Sequence, residues 1–425
     1  MHRILVTAYA VNPYKGSEDG TGWNMINQIA RYQKVYAITR KNNQEDIECY
    51  IDKNPQAQFG NIEWLYYDLP YWMRFWKKKE RGAMLYFYLW QLFMPFFILI
   101  KNVKFDVAHN LNFHNDWTPS FLWVFRKPFV WGPIGHHPKT PEAFVKEVYG
   151  QKAVQKQKII WGLKNMFWSL DPFLKLTKWN ANHIVAINSS VEKVLNLKAD
   201  KFSILPAVAS EKIPKVSKNF DKEKFTLLSI GRFVPLKGFD VCIESFTHFY
   251  KKLSPEQQKN TELLLIGKGP QKDFLKALAQ ELEVAHAIKF IEWMERSALT
   301  KIYEQADIFL FPSHEGAGMV VPEALSYSIP VVCFDNCGPG EMIDERCGRK
   351  VPYASYEASV AAISEHLHNL FTDKNVLKEL SIGARRQFLS KFLWNKKGEH
   401  FRNIYSSLLQ QHESENHLRP STQRL

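Results

Sequence analysis

Two stretches of this chain combine cations, carboxylates and glycines at spacings that suit a phosphorylated ligand. The first is Gly231-Arg232-Phe233-Val234-Pro235-Leu236-Lys237-Gly238, directly after the strand-like run Thr226 to Ile230. A planar guanidinium such as Arg232 grips phosphate oxygens with paired donors, and Lys237 offers a compact charge to the negative charge that grows on a departing nucleotide. The second is Phe311-Pro312-Ser313-His314-Glu315-Gly316-Ala317-Gly318-Met319-Val320-Val321-Pro322-Glu323-Ala324, which reads as a strand end, a tight loop and a helix start. Gly316, Ala317 and Gly318 allow close backbone approach, and amides that open a helix at about Met319 and Val320 point at an anion. Glu323, about a turn into that helix, is placed to accept hydrogen bonds from a ribose diol, and Glu315 in the loop reaches sugar hydroxyls. A weaker turn, Gly267-Lys268-Gly269-Pro270, follows the strand-like run Glu262 to Ile266. The same residues also fit a plainer reading, in which Arg232 and Lys237 are surface cations, Glu315 is a solvated loop carboxylate and Glu323 is favoured by the helix dipole.

Residues placed this way need strands whose carboxyl ends open into loops, and the rest of the chain supplies them. Strand-like runs alternate with helix-length segments, the pattern of parallel sheets wound with crossover helices. The first half carries runs at Arg3 to Tyr9, Val35 to Arg40, Ile62 to Asp68, Asp106 to Leu111, Phe129 to Ile134, His183 to Ile187 and Phe202 to Leu205. In the second half they fall at Thr226 to Ile230, Glu262 to Ile266, Ile288 to Trp293, Ile308 to Phe311 and Val331 to Asp335, each short and apolar enough to be buried on both faces. The expected organisation is an α/β fold with a Rossmann-like domain over 1–206, a Lys-rich linker over 207–224 and a second Rossmann-like domain over 225–394. A helix over 395–412 and a disordered polar tail over 413–425 complete it.

Ala83 to Ile100 is interrupted only by Gln91 and Pro95 and is long enough to raise a membrane span. Its place between two strand-like runs favours a buried crossover helix, with contact at a membrane surface as the next reading. The chain has 425 residues and an excess of thirteen Lys and Arg over Asp and Glu, which favours an acidic partner such as a nucleotide sugar or an anionic membrane surface. Basic clusters lie at Arg74 to Arg81 and at Lys152 to Lys164. Nucleic acid is not expected, because no helix-turn-helix, RNA-binding aromatic signature or zinc spacing occurs. Five scattered cysteines without a C-x-x-C pair argue against a disulfide framework and a zinc site. No secretory leader pattern precedes the first strand-like run, so a cytoplasmic protein is expected, with peripheral attachment at the inner face of the membrane as an option.

Five elements in order resemble glycosyltransferase family 4, whose members share the GT-B fold: GRFVPLKG, LLLIGKGP, Tyr303-Glu304-Gln305-Ala306-Asp307 before FLFPS, the Glu-x7-Glu pair Glu315 and Glu323, and Ile329-Pro330-Val331-Val332. The resemblance implies two Rossmann-like domains facing across a cleft, with the C-terminal helix crossing back to the first. It implies a donor nucleotide diphosphate sugar, linked to UDP or GDP, whose diphosphate is held by Arg232 and Lys237 with the Gly231 turn. Glu323 then binds ribose, and Glu315 with the Gly316 to Gly318 loop contacts the donor sugar. Transfer with retention of anomeric configuration to a saccharide or lipid-linked saccharide follows, in cell-surface polysaccharide assembly. No Asp-x-Asp occurs, so neither a metal nor another cofactor is expected. A sugar-nucleotide epimerase and a non-catalytic nucleotide-sugar binder are the rival readings.

The first half is similar to a bacterial branch of that family through Lys15-Gly16-Ser17-Glu18-Asp19-Gly20-Thr21-Gly22-Trp23-Asn24 and Pro128-Phe129-Val130-Trp131-Gly132-Pro133-Ile134-Gly135. Gly20 and Gly22 are expected in the loop after the first strand, where backbone can approach donor phosphates or acceptor. His109, at a strand end, and His114, in the next loop, are expected to face the cleft and orient an acceptor hydroxyl or the donor sugar, although a lone histidine is often structural. Asp116 and Trp117 are candidates for shaping the acceptor pocket. The chain departs from the pattern at Ala317, where an aromatic residue is usual, at Pro206-Ala207-Val208-Ala209, and at Gly135-His136-His137, where the branch shows paired glycines. These departures bear on sugar identity and acceptor geometry.

Overall fold

Short runs of β-branched and aromatic residues with few charges favour strands of a parallel sheet that is covered on both faces. In the computed structural model, which describes all residues except 79–80, 112–114, 215–217, 293 and 419–425, thirteen strands are assigned among the described residues. The first seven are β1 (Arg3–Ala8), β2 (Lys34–Thr39), β3 (Ile62–Tyr66), β4 (Val107–Leu111), β5 (Phe129–Ile134), β6 (His183–Ala186) and β7 (Phe202–Ile204). They form one parallel sheet in the order β3-β2-β1-β4-β5-β6-β7. The other six are β8 (Phe225–Ile230), β9 (Thr261–Ile266), β10 (Ile288–Ile291), β11 (Ile308–Phe311), β12 (Val331–Phe334) and β13 (Gly348–Val351). Their order is β10-β9-β8-β11-β12-β13, again all parallel.

Every strand-like run read from the sequence is a strand. The exception runs the other way: β13 was not anticipated, because Gly-Arg-Lys-Val is an edge strand with two charged residues and carries little apolar signal.

The chain divides into two units that do not follow its linear order. One unit comprises 1–136, 163–207 and 394–425, and the other 137–162 and 208–393. A change of unit falls at 207/208, beside the expected boundary at 206, but the expected continuous first domain is corrected, since residues 137–162 are built into the second unit. The reason is Phe144, which is 2% exposed and sits among the rings of His314, Phe334, Tyr353 and Tyr356 at centroid distances of 5.0 to 5.7 Å. Nearby, Gln271 donates to the Tyr149 hydroxyl at 2.7 Å. The last helix, Trp394–Leu418, belongs to the first unit and runs into the stretch expected as a disordered tail. Near its start it packs on helix Ser17–Ala30 closely enough that a Cβ at Gly398 would lie 3.0 Å from the Gln28 carbonyl.

The Ala83–Ile100 helix is long and apolar enough to cross a membrane by length and composition. Its inner side is core, with Trp90 and Met94 fully buried and the Trp90 indole donating to the Tyr67 carbonyl at 3.0 Å.

Candidate active site

In an open parallel sheet, a crevice forms outside the carboxyl ends of the strands where the order reverses direction. In the second unit that point lies between β8 and β11, the strands that lead into the two loops richest in charge and glycine. After β8 come Gly231, Arg232 and a short turn, Pro235–Lys237, that ends at Gly238. Gly238 has φ +64°, and a Cβ there would sit 2.1 Å from the Pro312 carbonyl, so only glycine lets the β8 loop lie against the β11 loop. Gly267, at φ +153°, plays the same part for the β9 loop, where a Cβ would strike the Gly231 carbonyl at 1.8 Å. Gly269 makes a comparable approach to the Phe233 carbonyl. The glycine identity of 267 and 269 thus has a packing cause.

The two loops meet through charge. The Lys237 ammonium donates to both carboxylate oxygens of Glu315 at 2.7 Å, with side chains only 17% and 11% exposed. The ammonium also lies 5.2 Å from the centre of the Phe311 ring. Burial pushes the Glu315 carboxyl up, and Lys237 opposes this by favouring the charged form. The pair is therefore held rigidly at the switch point. Arg232 is exposed beside it and forms no ion pair among the described residues.

The β11 loop is anchored from beneath. The His314 amide donates to the Leu236 carbonyl at 2.9 Å and the Ser313 hydroxyl to the same oxygen at 3.2 Å. His314 forms a near-parallel aromatic cluster with Phe334 and Tyr353, at centroid distances of 5.2 and 5.6 Å, and its Nδ1 lies 2.9 Å from the Tyr353 hydroxyl. Burial lowers its pKa to about 4, so the ring is neutral and serves packing. Gly316 and Gly318 are buried, Ala317 is half-buried and Met319 is exposed. The helix Val320–Ser326 opens after Met319 with no side-chain cap. The Gly316 amide donates to His137 Nδ1 at 3.1 Å, so an imidazole from the segment 137–162 touches the loop next to Glu315.

Glu323 lies in the helix Val320–Ser326 that follows the Glu315 loop. It is half-buried and accepts a hydrogen bond from the Tyr303 hydroxyl at 3.0 Å. Tyr303 stacks on Tyr327 at 4.8 Å, and these residues line a cavity of about 100 Å³ with Ser210, Ile213 and Ser326. Asp307, which ends the same motif as Tyr303, accepts from the Thr226 amide at 2.8 Å and pairs with Lys222 at 2.9 Å. It fastens β8 to β11.

Several expected site residues lie apart from this arrangement. His109 is fully buried in the first unit, with Nδ1 2.6 Å from the Tyr405 hydroxyl and Nε2 2.6 Å from the Gly132 carbonyl. Both nitrogens are spent inside the core, which corrects its assignment as an acceptor-facing catalytic histidine. Gly20 and Gly22 are not in a loop but inside helix Ser17–Ala30, with Gly22 buried. His114 lies outside the described residues. Asp116 is also buried, paired with His136 Nδ1 at 2.7 Å. His137, a weaker candidate than His109 and His114, touches the loop, and Tyr303 had no contact assigned to it. The histidine pair at a position where the branch shows glycines was the one signal for His137, and Tyr303 sat in view within its own motif.

Residues 210–387, all within the second unit, match the model of a family described as Glycosyl transferases group 1. The chain is similar to an uncharacterized glycosyltransferase of Haemophilus influenzae, 33% identical over 28% of this chain and 31% of that protein. It is 26% identical to the lipopolysaccharide glucosyltransferase WaaG of Escherichia coli over 47% of this chain and 57% of that protein. In these alignments the chain spans 31% and 57% of the relatives' length. The solved structure of WaaG has the same fold, with a TM-score of 0.60 over 94% of this chain and 99% of that one at 17% identity. The structure of Anabaena HepE in complex with UDP matches with a TM-score of 0.60 at 12% identity, over 96% and 100% of the two chains. The fold of this chain is therefore GT-B, two parallel-sheet α/β domains.

Proposed function

We propose that the protein is a retaining glycosyltransferase that takes a sugar from a UDP- or GDP-linked donor and transfers it to a saccharide acceptor in surface polysaccharide assembly. The observation that carries this reading is the buried Lys237–Glu315 pair at the β8/β11 switch point, with exposed Arg232 at its side. Relatives add to it: the family model matches residues 210–387 of this unit, and similar proteins are named for lipopolysaccharide glucosyl transfer and for mannosyl transfer from GDP-mannose.

Arg232 and Lys237 bind the donor diphosphate in this reading, and Glu323 accepts from the ribose hydroxyls. Glu315 accepts from a sugar hydroxyl while it holds the Lys237 ammonium in place. The amides of Met319 and Val320 add partial positive charge on the same side. During transfer the bond between the anomeric carbon and the β-phosphate oxygen breaks, and the acceptor oxygen bonds to that carbon on the same face. The acceptor proton passes to the departing diphosphate. Fixed cations aimed at the oxygen where charge develops lower the barrier without reorganising. No metal has a part in this scheme.

The test is a turnover and thermal-shift screen of nucleotide sugars with chelator present, in wild type, Lys237→Ala and Glu323→Ala. One nucleotide sugar is expected to stabilise the wild type and to release its nucleotide with a retained linkage, with the stabilisation reduced in both variants. An inverted product overturns the retaining scheme, and sugar interconversion without transfer makes the protein an epimerase. Binding that survives both substitutions places the donor elsewhere, and binding without turnover leaves a binder.

A further inference from the structure

A helix that is apolar all round belongs either inside a protein or against lipid. The Ala83–Ile100 helix is apolar all round, yet only one side of it is covered. Its outer side carries Leu85, Phe96, Leu99 and Ile100 at 57%, 61%, 64% and 80% exposure. With half-buried Leu89 and Leu92 these residues recur at helical spacing and make one stripe along the whole helix. The short helix before it adds Tyr71 and Trp72, exposed at 75% and 72%, and Phe75. Aromatic residues of this kind favour the headgroup level of a bilayer.

Charge identifies what covers the stripe. Between Tyr71 and Lys104 the sequence has seven Lys and Arg and a single acidic residue, Glu80. Exposed Arg74, Lys78 and Arg81 precede the helix, and exposed Lys101 and Lys104 follow it. Cations at both ends of an apolar stripe match an anionic lipid surface, where the side chains enter the acyl boundary and the cations meet the headgroups. A second copy of this chain is a poorer fit, because its own stripe would bring the same cations together.

The helix cannot leave the fold to cross a bilayer. It connects β3 to β4 of one sheet, its inner face is core, and the Tyr86 hydroxyl donates to Asp68 while the Trp90 indole donates to Tyr67. We propose that the protein docks on anionic lipid with the Ala83–Ile100 helix lying flat, its Leu85–Phe96–Leu99 face inserted and its basic ends on the headgroups. The inference stands apart from the donor-site reading, and such a surface would present lipid-linked acceptors to the first unit.

The experiment is co-sedimentation of the full chain with vesicles of phosphatidylcholine alone or with a third phosphatidylglycerol, at low and high salt. Two variants accompany it, Leu85→Ser/Phe96→Ser/Leu99→Ser and Arg74→Glu/Lys78→Glu/Arg81→Glu. All three substituted apolar side chains are exposed, so circular dichroism and the donor-induced thermal shift are expected to match wild type. Wild type is expected to sediment with the anionic vesicles and to be released by salt. Each variant is expected to lower the partition coefficient by about tenfold or more. Wild type that stays in the supernatant at low salt overturns the proposal, as does binding that neither variant weakens. A wild-type dimer in light scattering that the serine variant dissociates assigns the stripe to a second copy instead. If the serine variant misfolds, the charge-reversal variant alone decides, since its positions are at the surface. Loss of the donor-induced shift in wild type bears on the glycosyltransferase reading and leaves the vesicle result standing.

Discussion

Lys237 and Glu315 are 78 positions apart in sequence and share a bidentate contact at 2.7 Å. Removing the ammonium strips a preorganised charge from the leaving diphosphate and leaves a buried carboxylate alone. Lys237→Ala is therefore expected to lower kcat by about 10²- to 10³-fold, the usual effect of deleting one electrostatic stabiliser of a transition state. Nucleotide release under saturating donor measures it, and a loss of less than threefold would show that Lys237 has no part in the chemistry. His109 makes the opposite case. Burial lowers its pKa to about 4, below the ordinary 6.5, so the unfolded chain takes up a proton first as pH falls. The stability tied to the neutral ring is complete above about 6.5 and is lost progressively toward pH 4. His109→Gln removes this loss, so the stability gap between wild type and variant is expected to narrow by about 2 kcal/mol from pH 7 to pH 5. Urea unfolding at the two pH values reads the gap, and a constant gap contradicts the buried neutral ring.

Elements carry residues into places that their own sequence neighbourhood does not announce. The segment 137–162 brings Phe144 into an aromatic slot under the β11 loop and His137 to the Gly316 amide. Phe144→Ala is expected to destabilise the protein by about 3 to 5 kcal/mol, the range for emptying a packed aromatic site. Because His314 loses a neighbour, the donor KM is expected to rise as well. Chemical denaturation and donor titration test both, and an unchanged midpoint would mean that the slot collapses without cost. Strands β8 and β11 show the same dependence on partners, since Asp307 ties the start of one to the other by accepting the Thr226 amide.

Across the whole molecule, each unit is assembled from separated pieces of chain. The Trp394–Leu418 helix returns to the first unit, where Tyr405 holds His109 and Gly398 presses on helix Ser17–Ala30. Truncation after Leu393 uncovers Phe401 and Tyr405 contacts in the first unit while every named donor contact in the second remains. Such a chain is expected to unfold at a temperature lower by roughly 10 °C or more, given several kcal/mol of lost burial, and to keep its affinity for the nucleotide sugar. Calorimetry with and without donor follows both quantities. Loss of donor binding at temperatures where the chain is folded would show that the second unit depends on the returning helix.

The strand runs and the loop motifs were legible in the amino-acid sequence because their signals are short-range. A run of four to six apolar β-formers marks a buried strand wherever it is placed, and a glycine beside a strand end marks a turn. β13 escaped for the converse reason, since the half-buried charged residues Arg349 and Lys350 form the middle of a four-residue edge strand. Hydrophobicity states that a residue leaves water, but not which surface it meets. That His109 is core, that Gly20 and Gly22 are helical, that 137–162 joins the second unit and that Lys237 finds Glu315 were decided by tertiary structure alone, through strand order and packing partners distant in sequence. The Ala83–Ile100 helix joins the two cases. Its composition determined that it avoids water, and the fold decided that only half of it could do so within the protein.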